Sequence, residues 1–367
     1  MRELERKGWL VARLLAGAWR HAPPKLVCTE EEFRAAAPFL LASGAGALVW
    51  SRIADSPLRA TAAGQALQQA CRSVVVHNLR SQHHLAELLP AFFQAGLDPL
   101  LIKGQALAPL YARPELRPCG DLDISVPPRQ FAPAYRWLRE NPALAAGVDL
   151  HQGCPDLPGR AWAQLRDRAS TLIVGRAAIR VMGREDQFRH LCLHQARHGC
   201  WRPLWLCDAA AALEQADADF DWDYCLAGPP RQTRWVLCVI GLARQLLGAR
   251  LLFEPRQLRH SAPPAWIRDQ ILRGWGHANS GDSHTRDDQP VLNFLESPRR
   301  LLPALRARWP NQVEAVFKAG GVPETRRPIH FYQLLVSGRR FLDLLRRHTG
   351  SVNIANVGTS QAFSLHP

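Results

Sequence analysis

The sequence predicts an α+β protein in which a small unit of short strands and helices is embraced by helical regions on both sides. Three observations carry this expectation. Apolar residues recur at helical spacing through the first 95 residues, short apolar or alternating runs bounded by Gly and Pro occupy 96–182, and helical periodicity returns from Glu185 onward. The expected organisation is an N-terminal helical region over 1–95, a mixed core over 96–182, a C-terminal helical domain over 183–349 and a flexible tail over 350–367.

The elements follow in order. Leu10, Leu14 and Leu15 mark an opening helix, and Leu67, Val74, Val75, Leu79, Leu85, Leu88 and Leu89 mark a long one from about Ala62 to Phe93. Pro99 to Lys103 is an apolar strand ending at Gly104, after which Leu107, Leu110 and Tyr111 continue at helical spacing. Asp121 to Val126 alternates as a second strand; Pro127-Pro128 closes it and opens a helix running to about Glu140. Val148 to His151 is a third strand, and Ser170 to Met182 is a hairpin turning near Gly175. Helices are then expected over about 185–198, 203–216, 230–248, 264–275, 288–308 and 328–348.

With 367 residues, 47% of them apolar and 21% charged, the composition is that of a folded globular protein and excludes disorder as the main state. The formal net charge is +14, and of the 46 basic residues only Lys7, Lys25, Lys103 and Lys318 are lysines. Such an arginine excess follows from GC-rich codon usage as readily as from function, yet either way the surface attracts anions such as triphosphates or nucleic acid. Nine cysteines, odd in number and without a CxxC pair, argue against a disulfide framework or a Cys-rich zinc site and fit a reducing compartment. The first twenty residues lack the apolar centre of a signal peptide. The longest uncharged run, between Arg34 and Arg52, is broken by Pro38, Gly44 and Gly46 and is too short to span a bilayer. The expected location is therefore the cytoplasm, away from membranes.

The chemistry concentrates in LIKGQALAPLYARPELRPCGDLDISV. On a strand, residues two apart project to one face, so Asp121 and Asp123 point at one spot while Leu122, Ile124 and Val126 face a core. Two carboxylates held that close repel unless a cation lies between them, and a hard oxygen-ligated ion, Mg2+ or alternatively Mn2+, is the natural partner. Asp149, on the next strand, is a candidate third ligand for a two-metal site. Gly104 opens the following helix, where free N–H groups favour phosphate. Lys103, ending the first strand, and Arg117, four residues before Asp121, are candidate phosphate contacts. His151 beside Asp149 is a candidate to line the pocket.

His190, His194 and His198 fall on one helix face, but the outer two lie ~12 Å apart, too far for one ion. A pair such as His194 and His198 would need a third ligand; the expected role for these histidines is to back the site and line its pocket. Asp208 reads as an ordinary helix carboxylate or a supporting partner, and Trp201 and Trp205 as helix packing. Cys119 has no adjacent base to make it a nucleophile. The chain contains no Walker loop, kinase signature, GxSxG elbow or dinucleotide-binding GxGxxG.

Gly104, a spacer, and Asp121-x-Asp123 resemble the signature of the polymerase-beta-type nucleotidyltransferase superfamily. More narrowly, residues 75–215 resemble the bacterial family of uncharacterised nucleotidyltransferases, many of them found beside peptide natural-product gene clusters. The narrow resemblance rests on HNLRSQHHLAELLPAF, the LIKG strand end, Tyr111, Arg117, the DLD and DLH strands and EDQFRHLCLHQARHGCWRPLWLCD. It implies a small polymerase-beta-like nucleotidyltransferase core, with Asp121, Asp123 and Asp149 binding two magnesium ions and Gly104 with its helix holding a triphosphate. The superfamily usually follows its glycine with Gly or Ser, whereas this chain has Gly104-Gln105. That change removes a hydroxyl donor to phosphate, for which Lys103 or Gln105 stands in.

The expected activity is magnesium-dependent transfer of a nucleoside monophosphate from a nucleoside triphosphate, such as ATP, to an acceptor with release of pyrophosphate. A peptide or small molecule is favoured as acceptor. The alternatives are nucleotide addition to RNA at the same site and a non-catalytic scaffold that kept the fold.

Overall fold

The computed structural model describes residues 2–252, 256–258, 262–277 and 309–349. Four helices open the chain: α1 (Glu3–Leu15), α2 (Glu30–Ala42), α3 (Gly46–Ile53) and the 33-residue α4 (Ala62–Gln94). The mixed unit follows as β1 (Leu100–Leu101), β2 (Leu122–Val126), α5 (Phe131–Glu140), α6 (Pro142–Ala145), β3 (Val148–Gln152), α7 (Trp162–Asp167), β4 (Ser170–Val174) and β5 (Ala177–Val181). Helices resume with α8 (Arg184–Arg197), α9 (Pro203–Glu214), α10 (Trp222–Leu226), α11 (Pro230–Leu247), α12 (Ala265–Gly276), α13 (Gln312–Lys318) and α14 (Ile329–Thr349).

This is the α+β architecture expected, with one five-stranded mixed sheet in the order β3-β2-β1-β5-β4. β2 runs antiparallel to β1 and parallel to β3, while β1 is parallel to β5 and the β4–β5 hairpin turns at Gly175 and Arg176. Gly175 takes the left-handed conformation that this turn requires. The helix α2 starts at a reciprocal cap in which Thr29 accepts from the Glu32 backbone and the Glu32 side chain accepts from the Thr29 backbone.

Burial follows two apolar clusters. One lies between the sheet and the helices α4 and α5, with Leu122, Ile124 and Val126 of β2 pointing into it. The other joins the N-terminal helices to α8, α9, α11, α12 and α13. Helix α4 belongs to both, giving Leu67 and Cys71 to the helical cluster and Leu85, Leu88, Leu89 and Phe92 to the sheet. The two ends of the chain also close on each other: Gly8 of α1 meets the Leu272 backbone of α12, and Gly276 of α12 meets Leu4.

The structure departs from expectation after Gly104. The run Gly104–Leu110 is a 3-10 helix rather than an α-helix, because Pro109 lacks the N–H that an α-helical ladder would use. The short helices α6, α7, α10 and α13 carry too few turns to show a period and escape sequence reasoning. The helix expected over 288–308 and the tail over 350–367 lie outside the described residues. No helix among the described residues is long and apolar enough to cross a membrane.

The α1–α12 contact makes a stability prediction. A Cβ on Gly8 would sit 2.0 Å from the Leu272 carbonyl oxygen, so Gly8→Ala must push the helices apart. We expect a loss of about 1–3 kcal/mol, measured by urea denaturation; an unchanged midpoint would show that α1 does not seal this face.

Candidate active site

Parallel pairing of β2 with β3 sets Asp123 opposite Asp149 and Ser125 opposite His151. Because Leu122, Ile124 and Leu150 are drawn into the core, the alternate residues Asp123, Asp149 and His151 share the other face. β1 ends beside them, and Lys103 Nζ donates to Asp123 Oδ1 at 2.6 Å. His151 Nε2 lies 3.1 Å from the same oxygen and 3.2 Å from Asp149 Oδ2. The remaining Asp149 oxygen, Oδ1, is buried with no hydrogen-bond partner among the described residues.

Electrostatics explains how the carboxylates tolerate each other. Burial alone would raise the Asp123 pKa, but Lys103 and His151 outweigh it and hold the carboxyl well below the usual carboxylate range. Burial likewise works against a charged His151, yet hydrogen bonds to Asp123 and Asp149 raise its pKa to about 9. Lys103, desolvated but facing Asp123, is also raised. At neutral pH both cations are therefore charged. Asp123, Asp149 and His151 offer ligand atoms within 4.8 Å of one another. An oxygen-rich donor set with an orphaned buried carboxylate oxygen fits a hard divalent cation. Asp121, exposed at the head of β2, lies outside this group, and its charge is felt by Cys119 and Arg202.

The turn beside the carboxylates is held from behind. Gly104 has a φ of +60°, and a Cβ there would lie 2.7 Å from Cys119 Sγ, so both conformation and space demand glycine. Arg117 Nη1 donates to the Gly104 carbonyl at 3.0 Å, while its Nε and Nη2 form a fork onto the two Asp208 oxygens at 3.1 and 2.8 Å. Tyr111 also donates to Asp208. Asn78 of α4 donates to the Glu115 and Arg117 carbonyls and accepts from the Cys119 N–H. Two residues expected at the phosphates are thus committed inward. Arg117 has all three guanidinium nitrogens engaged, and Gln105 is buried against Asn78 and Gln82 of α4. Asp208, fully buried on α9, is a structural anchor rather than an ordinary helix carboxylate.

Helix α8 meets the sheet at the end of β1, where Gln187 Nε2 donates to the Ile102 carbonyl at 2.9 Å. His190 and His194 converge with Asp156, a loop residue that carries no sequence signal, whereas His198 packs at a tilt against His194 and Trp205. Arg197 Nη1 donates to Asp156 Oδ1 at 2.8 Å. Burial lowers the His190 pKa to about 3 and lowers that of His194 as well.

Two predictions follow from these charges. Asp208→Ala leaves a buried arginine unpaired and should cost about 3–5 kcal/mol in denaturant unfolding; Arg117→Met with Asp208→Leu should recover part of that. The second concerns pH. His151, with a folded pKa of about 9 against 6.5, contributes stability that is complete below 6.5 and lost as pH rises through 9. His190, held neutral with a folded pKa of about 3, costs stability as pH falls below 6.5. The denaturation midpoint should therefore peak near 6.5; His151→Gln should flatten the alkaline limb and His190→Gln the acidic one.

Two stretches of the chain, 30–147 and 143–248, match the family described as uncharacterised nucleotidyltransferase. No curated protein and no solved structure matches the chain. The matched residues take in the whole sheet with its carboxylates, the Gly104 turn, and the α8–α9 pair that carries His194 and Asp208. More than half of the chain is covered, and the chain belongs to this nucleotidyltransferase family.

Proposed function

We propose that the chain is a magnesium-dependent enzyme that moves a nucleoside monophosphate from a nucleoside triphosphate, such as ATP, to a hydroxyl of a peptide or small-molecule acceptor. The observation that carries this reading is the in-register Asp123–Asp149 pair with its orphaned Asp149 Oδ1, one strand away from the Gly104 turn.

Asp123 and Asp149 would hold the divalent ion, or two, with Asp121 joining from the exposed head of β2. When bound, the ion screens triphosphate charge and makes the α-phosphorus a better electrophile. Lys103 and the Gly104 turn would meet the triphosphate, Lys103 exchanging its Asp123 partner for a phosphate oxygen. Asp149, through whichever carboxylate oxygen does not hold the ion, would accept the hydrogen of the acceptor hydroxyl. The acceptor oxygen then bonds to the α-phosphorus, the α–β anhydride bond breaks, pyrophosphate leaves, and the hydroxyl proton passes to Asp149. Arg117 takes no part in contact; it keeps the Gly104 turn in place through Asp208.

A second reading, a nucleotidyltransferase-fold binding protein without turnover, draws on one observation: Lys103 and His151 already neutralise the carboxylates. Calorimetric titration with each of the four ribonucleoside triphosphates separates the two. The enzyme reading expects binding of at least one triphosphate that requires magnesium and is lost in Asp123→Asn and Asp149→Asn. Failure of every triphosphate to bind the folded wild-type chain would favour the second reading. Steeply salt-dependent binding of RNA would move the acceptor from a small molecule to a nucleic acid.

A further inference from the structure

We propose that Asp156, His190 and His194 form a second metal site, chemically distinct from the Asp123–Asp149 pair and suited to a transition-metal dication of the zinc class.

The site is built from two elements. His190 and His194, four residues apart on α8, present their rings on one face, the spacing by which a helix supplies two imidazoles to one ion. Asp156 reaches them from the loop after β3. Asp156 Oδ2 lies 3.3 Å from His194 Nδ1 and 3.8 Å from His190 Nδ1. The first is a hydrogen bond and the second lies beyond hydrogen-bond reach, and together they bracket the edge of a tetrahedron of ligands at zinc distances, about 3.4 Å.

The independent observation is His190 itself. It is only 1% exposed, and neither ring nitrogen has a hydrogen-bond partner among the described residues. An imidazole buried without partners has lost its water contacts without replacement, and an ion on Nδ1 would satisfy that nitrogen. The surroundings suit a metal in three further ways. Arg197 takes Asp156 Oδ1, leaving Oδ2 turned to the histidines. Burial keeps His190 neutral, the form that ligates. His194 keeps 12% of its side chain exposed, giving a path for entry.

Donor chemistry separates the two sites. Two imidazoles and one carboxylate favour zinc-class ions, whereas magnesium prefers carboxylates and water. An ion here would tie the 153–161 loop to α8. It would also add positive charge within electrostatic range of Lys103 and Asp123, which already feel this cluster. The site goes beyond the proposed transfer reaction and stands or falls without it.

The test strips the full chain with a chelator and titrates it with Co2+ in excess Mg2+. We expect one equivalent with the intense visible spectrum of tetrahedral cobalt, displaced by Zn2+, and a Tm that rises on adding zinc. The spectrum should vanish in His190→Gln and in Asp156→Asn, each checked for native circular dichroism, and persist in Asp149→Asn. The proposal is overturned if the wild type gives no tetrahedral spectrum, if both His190→Gln and Asp156→Asn retain it, or if Asp149→Asn loses it.

Discussion

Burying a charge is costly unless it is paired, and the Arg117–Asp208 pair is the contact on which the site's shape depends. It joins α9 to the loop before β2, and through the third guanidinium nitrogen it fixes the Gly104 carbonyl. Tyr111 completes the set on Asp208. The helical part of the molecule thereby determines where β1 ends and where Lys103 emerges. Such a pair is worth little as stabilisation compared with an apolar replacement, but it specifies one arrangement, since any other leaves a desolvated charge.

The second constraint is electrostatic. Parallel pairing forces Asp123 and Asp149 side by side, and the protein answers with Lys103 and His151. The balance holds Asp123 ionised before any ligand arrives, a charge arrangement of the kind that charge-stabilising catalysis requires. Family membership supports nucleotidyl transfer in general terms, and the family description leaves the acceptor open.

Much of the sheet was legible because its signals are local. The alternation of Asp121 to Val126, the Gly175 turn and the short Val148 strand each depend on a few neighbouring residues. Asp149 was legible as a third carboxylate because it lies on that strand. What escaped depends on contacts remote in sequence. Arg117 looks like a phosphate ligand until Asp208, 91 positions away, is seen to take its guanidinium. Gln105 reads as a substitute donor, yet the 3-10 turn rotates it into α4. Asp156 occupies a loop without periodicity, so the histidine spacing alone did not point to the grouping of Asp156, His190 and His194. The apposition of Gly8 and Leu272 likewise has no local signature.

The central claim, that Asp123 and Asp149 exchange their present cations for a divalent ion and a triphosphate, is tested most directly by crystallography. Crystals grown with Mn2+ and a non-hydrolysable nucleoside triphosphate would be measured for anomalous scattering. The account predicts a manganese peak between the Asp123 and Asp149 carboxylates, with Lys103 moved onto a phosphate oxygen. A folded chain that keeps the Lys103–Asp123 contact and shows no anomalous peak at the pair would contradict it.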